Sequence, residues 1–79
     1  MNIKILGLGC AKCDLLEKNI RKVVESLNIN ATIEKVEDDD QILSYGIMRT
    51  PGLVIDEKVM SAGRVLYTQE IERLLKAHI

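Results

Sequence analysis

The stretch Ile3-Lys4-Ile5-Leu6-Gly7-Leu8-Gly9-Cys10-Ala11-Lys12-Cys13 decides the reading of this chain. Ile3 to Leu6 is a short apolar run closed by Gly7, as a buried strand would be. From Ala11 the period changes: Leu16, Ile20, Val23, Val24 and Leu27 recur at spacings of three and four, so Ala11 to Leu27 is a helix with one apolar face. Lys12, Glu17, Lys18, Arg21, Lys22 and Glu25 occupy its other face. Glu17 with Arg21 at i,i+4 supports the helix slightly, and Lys18 with Lys22 slightly opposes it. Asn28 is the stop. Two cysteines therefore fall where a strand turns into a helix, Cys10 at or just before the helix start and Cys13 in its first turn.

Working outward, Ala31 to Val36 is rich in β-branched residues and is a second strand, less apolar than the first and so suited to an edge. Asp38-Asp39-Asp40 follows. An acidic run there is a helix start, a cap plus carboxylates facing the positive end of the helix dipole. A hard-cation site would need several more oxygen ligands from a shaped loop. The short helix runs Asp39 to Tyr45, with Gly46 as a left-handed terminator. Gly52 to Ile55 is a third apolar strand, Asp56-Glu57 a tight turn, and Lys58 to Ala62 the hairpin partner. Asp-Glu is a poor turn pair because Glu57 resists positive φ. Gly63 marks a bulge or a close backbone approach. Thr68 caps a last helix, Gln69 to His78, whose apolar face is Ile71, Leu74 and Leu75.

The order is β-α-β-α-β-β-α: an α/β fold, with a mixed four-stranded sheet and helices on both faces. The first two strands form a right-handed parallel unit around the first helix. The 79 residues make one domain, 1–79, near the size where a single core becomes marginal. Only Tyr45 and Tyr67 are aromatic, so Ile, Leu and Val must build the core.

The formal net charge of −1 comes from acids and bases mixed along the chain. That balance excludes the basic patch of a nucleic-acid binder and suits a soluble monomer. No apolar run is long enough to span a bilayer. Met1 to Leu8 lacks the length and cleavage site of a signal peptide, so a cytoplasmic location is expected. Thiols there are kept reduced, which favours chemistry or metal binding over a structural disulfide for the two cysteines.

The chemistry follows from position. Unpaired N–H groups and the dipole at a helix start stabilise an anion, so the pKa of Cys10 should be depressed. Lys12 adds a cation unless its side chain turns to solvent. The thiolate is the species that attacks a disulfide. Residues three apart on a helix are neighbours, so Cys13 can resolve a mixed disulfide formed at Cys10. Gly7 and Gly9 leave the loop open to close approach by a target backbone. Two other readings use the same residues. The cysteines can be small buried hydrophobes, which suits Cys13 on the Leu16–Ile20 face better than Cys10. They can also hold a soft ion such as copper(I). A structural zinc site needs four ligands, and only His78 is available beyond the two thiols.

Cys10-Ala11-Lys12-Cys13, together with Tyr45-Gly46-Ile47-Met48-Arg49-Thr50-Pro51-Gly52-Leu53-Val54-Ile55, resembles the thioredoxin superfamily over the whole chain, in particular its short thioredoxin-like and glutaredoxin-like proteins. The resemblance implies a minimal thioredoxin fold and a protein-disulfide oxidoreductase. It makes Cys10 the nucleophile and Cys13 the resolving thiol. It also implies a cis bond before Pro51 and a substrate-binding set of Gly9, Ala11, Lys12, Thr50 and Pro51, with the Thr50 backbone pairing to an extended target. It implies no cofactor beyond a reversible Cys10–Cys13 disulfide, no metal, disulfide-containing targets as partners, and a disulfide reductase as electron donor. Gly63 stands where the family often has a glycine. Gly9 replaces the family's usual tryptophan, and Ala11-Lys12 lacks its proline, so the redox potential does not follow from the loop. Ser61-Ala62-Gly63-Arg64 lacks the paired glycines of glutaredoxins, which argues against a glutathione site. No buried carboxylate is evident near the site, and Asp14 is expected to face solvent.

The loop from Gly7 to Cys13 is also similar to that of heavy-metal-associated domains, which would make the chain a copper(I) carrier. Those domains run β-α-β-β-α-β and end in a strand, whereas this chain ends in a helical pattern. A non-catalytic interaction module on the thioredoxin-like fold is the third possibility.

Overall fold

The computed structural model describes residues 1–8 and 11–78. Its elements are β1 (Asn2–Leu6), α1 (Ala11–Ser26), β2 (Thr32–Val36), α2 (Asp39–Ser44), β3 (Gly52–Ile55), β4 (Lys58–Ala62) and α3 (Thr68–Ala77). The strands form one sheet in the order β2-β1-β3-β4, which is the minimal thioredoxin fold. β1 pairs parallel to β2, from Asn2 opposite Thr32 to Leu6 opposite Val36. β1 runs antiparallel to β3, and β3 antiparallel to β4. The less apolar β2 is indeed an edge, and β3, buried at all four positions, is central.

Alternation along the strands divides the core in two. Ile3, Ile5, Leu53 and Ile55 point to one face, where Leu16, Ile20 and Val23 of α1 and Ile71 and Leu75 of α3 cover them. Leu6 and Val54 point to the other, under Ile42 of α2 and Ile47. The helix ends follow local chemistry. Asn28 takes φ 54, Asn28 N–H donates to Glu25 O and Ile29 N–H to Val24 O, which closes α1 in a Schellman motif. The Asp38 carboxylate accepts from Asp40 N–H and caps α2, and Gly46 at φ 80 ends it beyond the C-cap Tyr45.

One local expectation is corrected, and two are made specific. Thr68 does not cap α3: it is already helical, and the extended Tyr67 is the N-cap with no side-chain bond. The sheet irregularity lies between Leu53 and Val54, opposite Met60, not at Gly63. Gly63 is instead a close approach at φ 81, where a Cβ would lie 3.0 Å from the Cβ of Arg49. The Asp56-Glu57 turn forms although both residues have positive φ, 48 and 69. Side-chain bonds hold it. Asp56 accepts from Asn2 N–H at 2.8 Å, and the Glu57 carboxylate accepts from Lys4 Nζ at 2.7 Å and Tyr45 OH at 3.0 Å.

Candidate active site

Three segments converge at the C-terminal end of β1. Cys13 lies in the first turn of α1, and Leu16 and Ile20 on its face of the helix anchor that turn in the core. Its side chain is buried. Gly7 continues the parallel ladder past β1, its N–H donating to Val36 O at 2.9 Å. The Cys13 Sγ occupies the space where a Gly7 Cβ would be, and the Cβ of Thr50 lies 3.8 Å from that same point. Cys13 and Gly7 thus meet Thr50, which stands far from both in sequence.

The Thr50–Pro51 peptide bond is cis, as the resemblance implied. Thr50 is exposed and Pro51 is buried, so the bond stands at the surface with its ring in the core. Pro51 O accepts from Gly63 N–H at 2.9 Å, which ties the end of the hairpin to this corner. Ala11 and Lys12 are both exposed in the first turn of α1. Gly9 and Cys10, the proposed contact residue and nucleophile, lie outside the described residues. The role given to Gly7 is corrected: it is buried, and the room left by its missing side chain is filled by the Cys13 sulfur rather than left open to a target.

Beside Thr50 runs a groove of about 350 Å³ lined by Leu8, Asp39, Ile42, Leu43, Ile47, Met48 and Thr50. Leu8, Leu43 and Met48 are unusually exposed for their size, Met48 at 93%. Glu37 to Asp40 form an exposed acidic run next to it, with no cation paired to them among the described residues. Sequence reading missed this groove, because it is assembled from a loop, a short helix and the segment before Pro51. The one available signal was the apolar pair Ile47-Met48 standing just before Arg49 and Thr50.

The site carries no buried carboxylate among the described residues, where Asn19 is the buried polar side chain. Asn19 Nδ2 donates to Leu66 O at 3.0 Å and fastens the segment before α3 to α1. Asp14 faces solvent as expected and pairs with Lys35 at 3.0 Å. Arg21 beside Glu17 holds that carboxyl below its ordinary value, and the Asp14 and Glu17 carboxylates hold Lys35 above its own. Among the described residues no group of three or more His, Cys, Asp or Glu converges as metal ligands would, and no helix is long and apolar enough to cross a membrane. The β-α-β-β-α-β order of heavy-metal-associated domains is not the order observed.

A four-stranded mixed sheet, a helix-start cysteine and a cis-proline at one corner define the thioredoxin-like class. The chain belongs to the thioredoxin domain family, whose model matches residues 1–76. It is 45% identical over 75 residues to a protein named Thioredoxin from Methanothermobacter thermautotrophicus, covering 95% of this chain and 97% of that one. It is 36% identical over 77 residues to a Thioredoxin from Methanocaldococcus jannaschii, covering 98% and 88%. The chain is accordingly a thiol–disulfide oxidoreductase, and disulfide-containing molecules are its general kind of partner.

Proposed function

We propose that the chain reduces disulfides of target proteins by dithiol exchange through Cys10 and Cys13. One observation carries the reading: the Cys13 sulfur sits buried in the first turn of α1, packed on Gly7 and beside the exposed Thr50 of the cis bond. Cys10, three residues before it, is assigned as the attacking thiol. Its thiolate attacks a target disulfide, releasing one target thiolate and leaving a mixed disulfide. Cys13, losing its proton to solvent, attacks the Cys10 sulfur. The mixed bond breaks, the Cys10–Cys13 bond forms, and the second target thiolate leaves. Two electrons pass from the protein to the target, and a disulfide reductase in the cytoplasm returns them. No dissociable cofactor takes part.

The target lies as an extended segment against the Thr50 backbone, with Ala11, Lys12 and Gly9 along its path. A neighbouring apolar side chain enters the groove between Leu8, Leu43 and Met48, which is continuous with Thr50. Asp39 on the groove wall favours a basic residue beside it. Insulin-disulfide reduction with dithiothreitol tests the reading. Wild type should exceed the uncatalysed rate and Cys10→Ser should fall to it. Equal rates at background for both would overturn the proposal.

A further inference from the structure

We propose that Gly7 is a positioning residue for the resolving step: its missing side chain is the seat of the Cys13 sulfur. The inference rests on the dithiol reading above and adds a residue to it. Gly7 has no positive φ, so its backbone would admit any residue; only the lack of space demands glycine. A Cβ there would overlap the Cys13 Sγ and lie 3.3 Å from the Cys13 Cβ. Neither partner can retreat. Gly7 is held in the ladder by its bond to Val36 O, and α1 is pinned to the sheet by Leu16, Ile20 and Val23.

The sulfur is what must move. The Cys13 side chain has only three staggered χ1 wells to choose from. An alanine at position 7 denies Cys13 the well it holds and sends the sulfur away from Thr50 and the end of β1. In the attack by Cys10 on a target, the Cys13 sulfur forms and breaks no covalent bond. Attack by Cys13 on Cys10 depends on its position, and displacements of about 1 Å can cost ~10²-fold in such steps. Gly7 therefore acts chiefly on the second half of the reaction, where the Cys13 sulfur is the attacking atom.

Dithiobis-nitrobenzoate, a small aromatic disulfide, separates the halves. With reduced protein in excess, attack by Cys10 releases one coloured thiolate. Attack by Cys13 on the Cys10 sulfur then releases the other and forms the protein disulfide. In Gly7→Ala the first release should stay within about twofold of wild type and the second should slow by about tenfold or more. A second release at the wild-type rate, or both releases slowed together, would overturn the proposal. If Gly7→Ala does not fold, the double variant Gly7→Ala/Cys13→Ala decides, since it removes the obstructing sulfur. Recovery of cooperative thermal unfolding supports the seat, and continued failure to fold overturns it. A wild type that releases neither thiolate fails at the dithiol reading itself, and the role of Gly7 falls with it.

Discussion

The two faces of the sheet are built differently. On one, α1 and α3 lay long apolar faces over Ile3, Ile5, Leu53 and Ile55, and the ten buried residues there form the larger core. On the other, Ile42 of the six-residue α2 and Ile47 beyond it cover Leu6, Val36 and Val54, a cluster half that size among the described residues. Lys4 points to this second face and would be costly there unpaired. Its amine instead donates to Tyr45 OH at 2.9 Å and to Glu57 at 2.7 Å, at the Tyr45 edge of the cluster. The first face is held by apolar area; the second is held partly by a polar lock joining β1, the end of α2 and the β3–β4 turn. The groove beside Thr50 opens on the second face. The difference teaches that the thinner, less apolar side is where this small fold leaves an exposed apolar groove.

Truncation in the large core should do most damage. Ile20→Ala, at a fully buried site, is expected to cost about 3 kcal/mol or more, by lost transfer energy and a cavity that α1 cannot collapse around. In so small a domain that approaches the whole stability, visible as a large fall in the urea midpoint. Ile42→Ala on the second face is expected to cost less, about 2 kcal/mol, because a short surface helix can settle onto the gap. Native-state hydrogen exchange should then show α2 opening ahead of α1 and α3. Equal losses at the two sites would break the contrast between the faces.

The polar lock supplies a pH test. Lys4 and Tyr45 hold the Glu57 carboxyl below its ordinary value of 4.5. Its contribution is therefore present above that value and is lost as pH falls through its lowered folded value. Lys4 is raised, chiefly by Glu57 and then by Tyr45, so its contribution is complete below its ordinary value of 10.5 and fades only as pH rises through the folded one. Glu57→Gln should lower Tm modestly at pH 7 and leave a smaller further loss than wild type shows as pH falls below 4.5. Parallel pH profiles for the two proteins would remove the lock from the account. The smallest change in stability should come from Met48→Ser, since the side chain is almost wholly exposed. Its effect belongs to targets: KM for an insulin-type substrate should rise about threefold to tenfold, because docking then buries less apolar surface, with Tm unchanged. An unchanged KM would detach the groove from target binding.

Strand and helix order was legible because it rests on local periods. The short apolar runs of β1 and β3 and the three-and-four spacing in α1 need no distant partner to be read. β3 and β4 appear at the expected bounds, and α1 and α2 each end one residue earlier than read. Thr68 misled because a threonine before an apolar run satisfies the capping pattern, while the residue that takes extended dihedrals was Tyr67. Glu57 was legible as a poor residue for a turn that nevertheless forms. Its backbone preference was judged alone, and the bonds from Lys4 and Tyr45 that hold it are tertiary.

At the site, sequence by itself determined that a cysteine lies in the first turn of the first helix, on the face shared with Leu16 and Ile20. That follows from helical spacing. The proximity of Thr50 to it followed only from a family likeness, since no period connects residues so far apart. What the tertiary structure alone decided is the use of Gly7. A glycine in a loop is read as freedom for the backbone or for a visitor, and here the empty side is filled by the chain's own sulfur. The physical reason is that exclusion of one atom by another depends on which segments are packed together, and packing is settled by the whole sheet and its two helix layers.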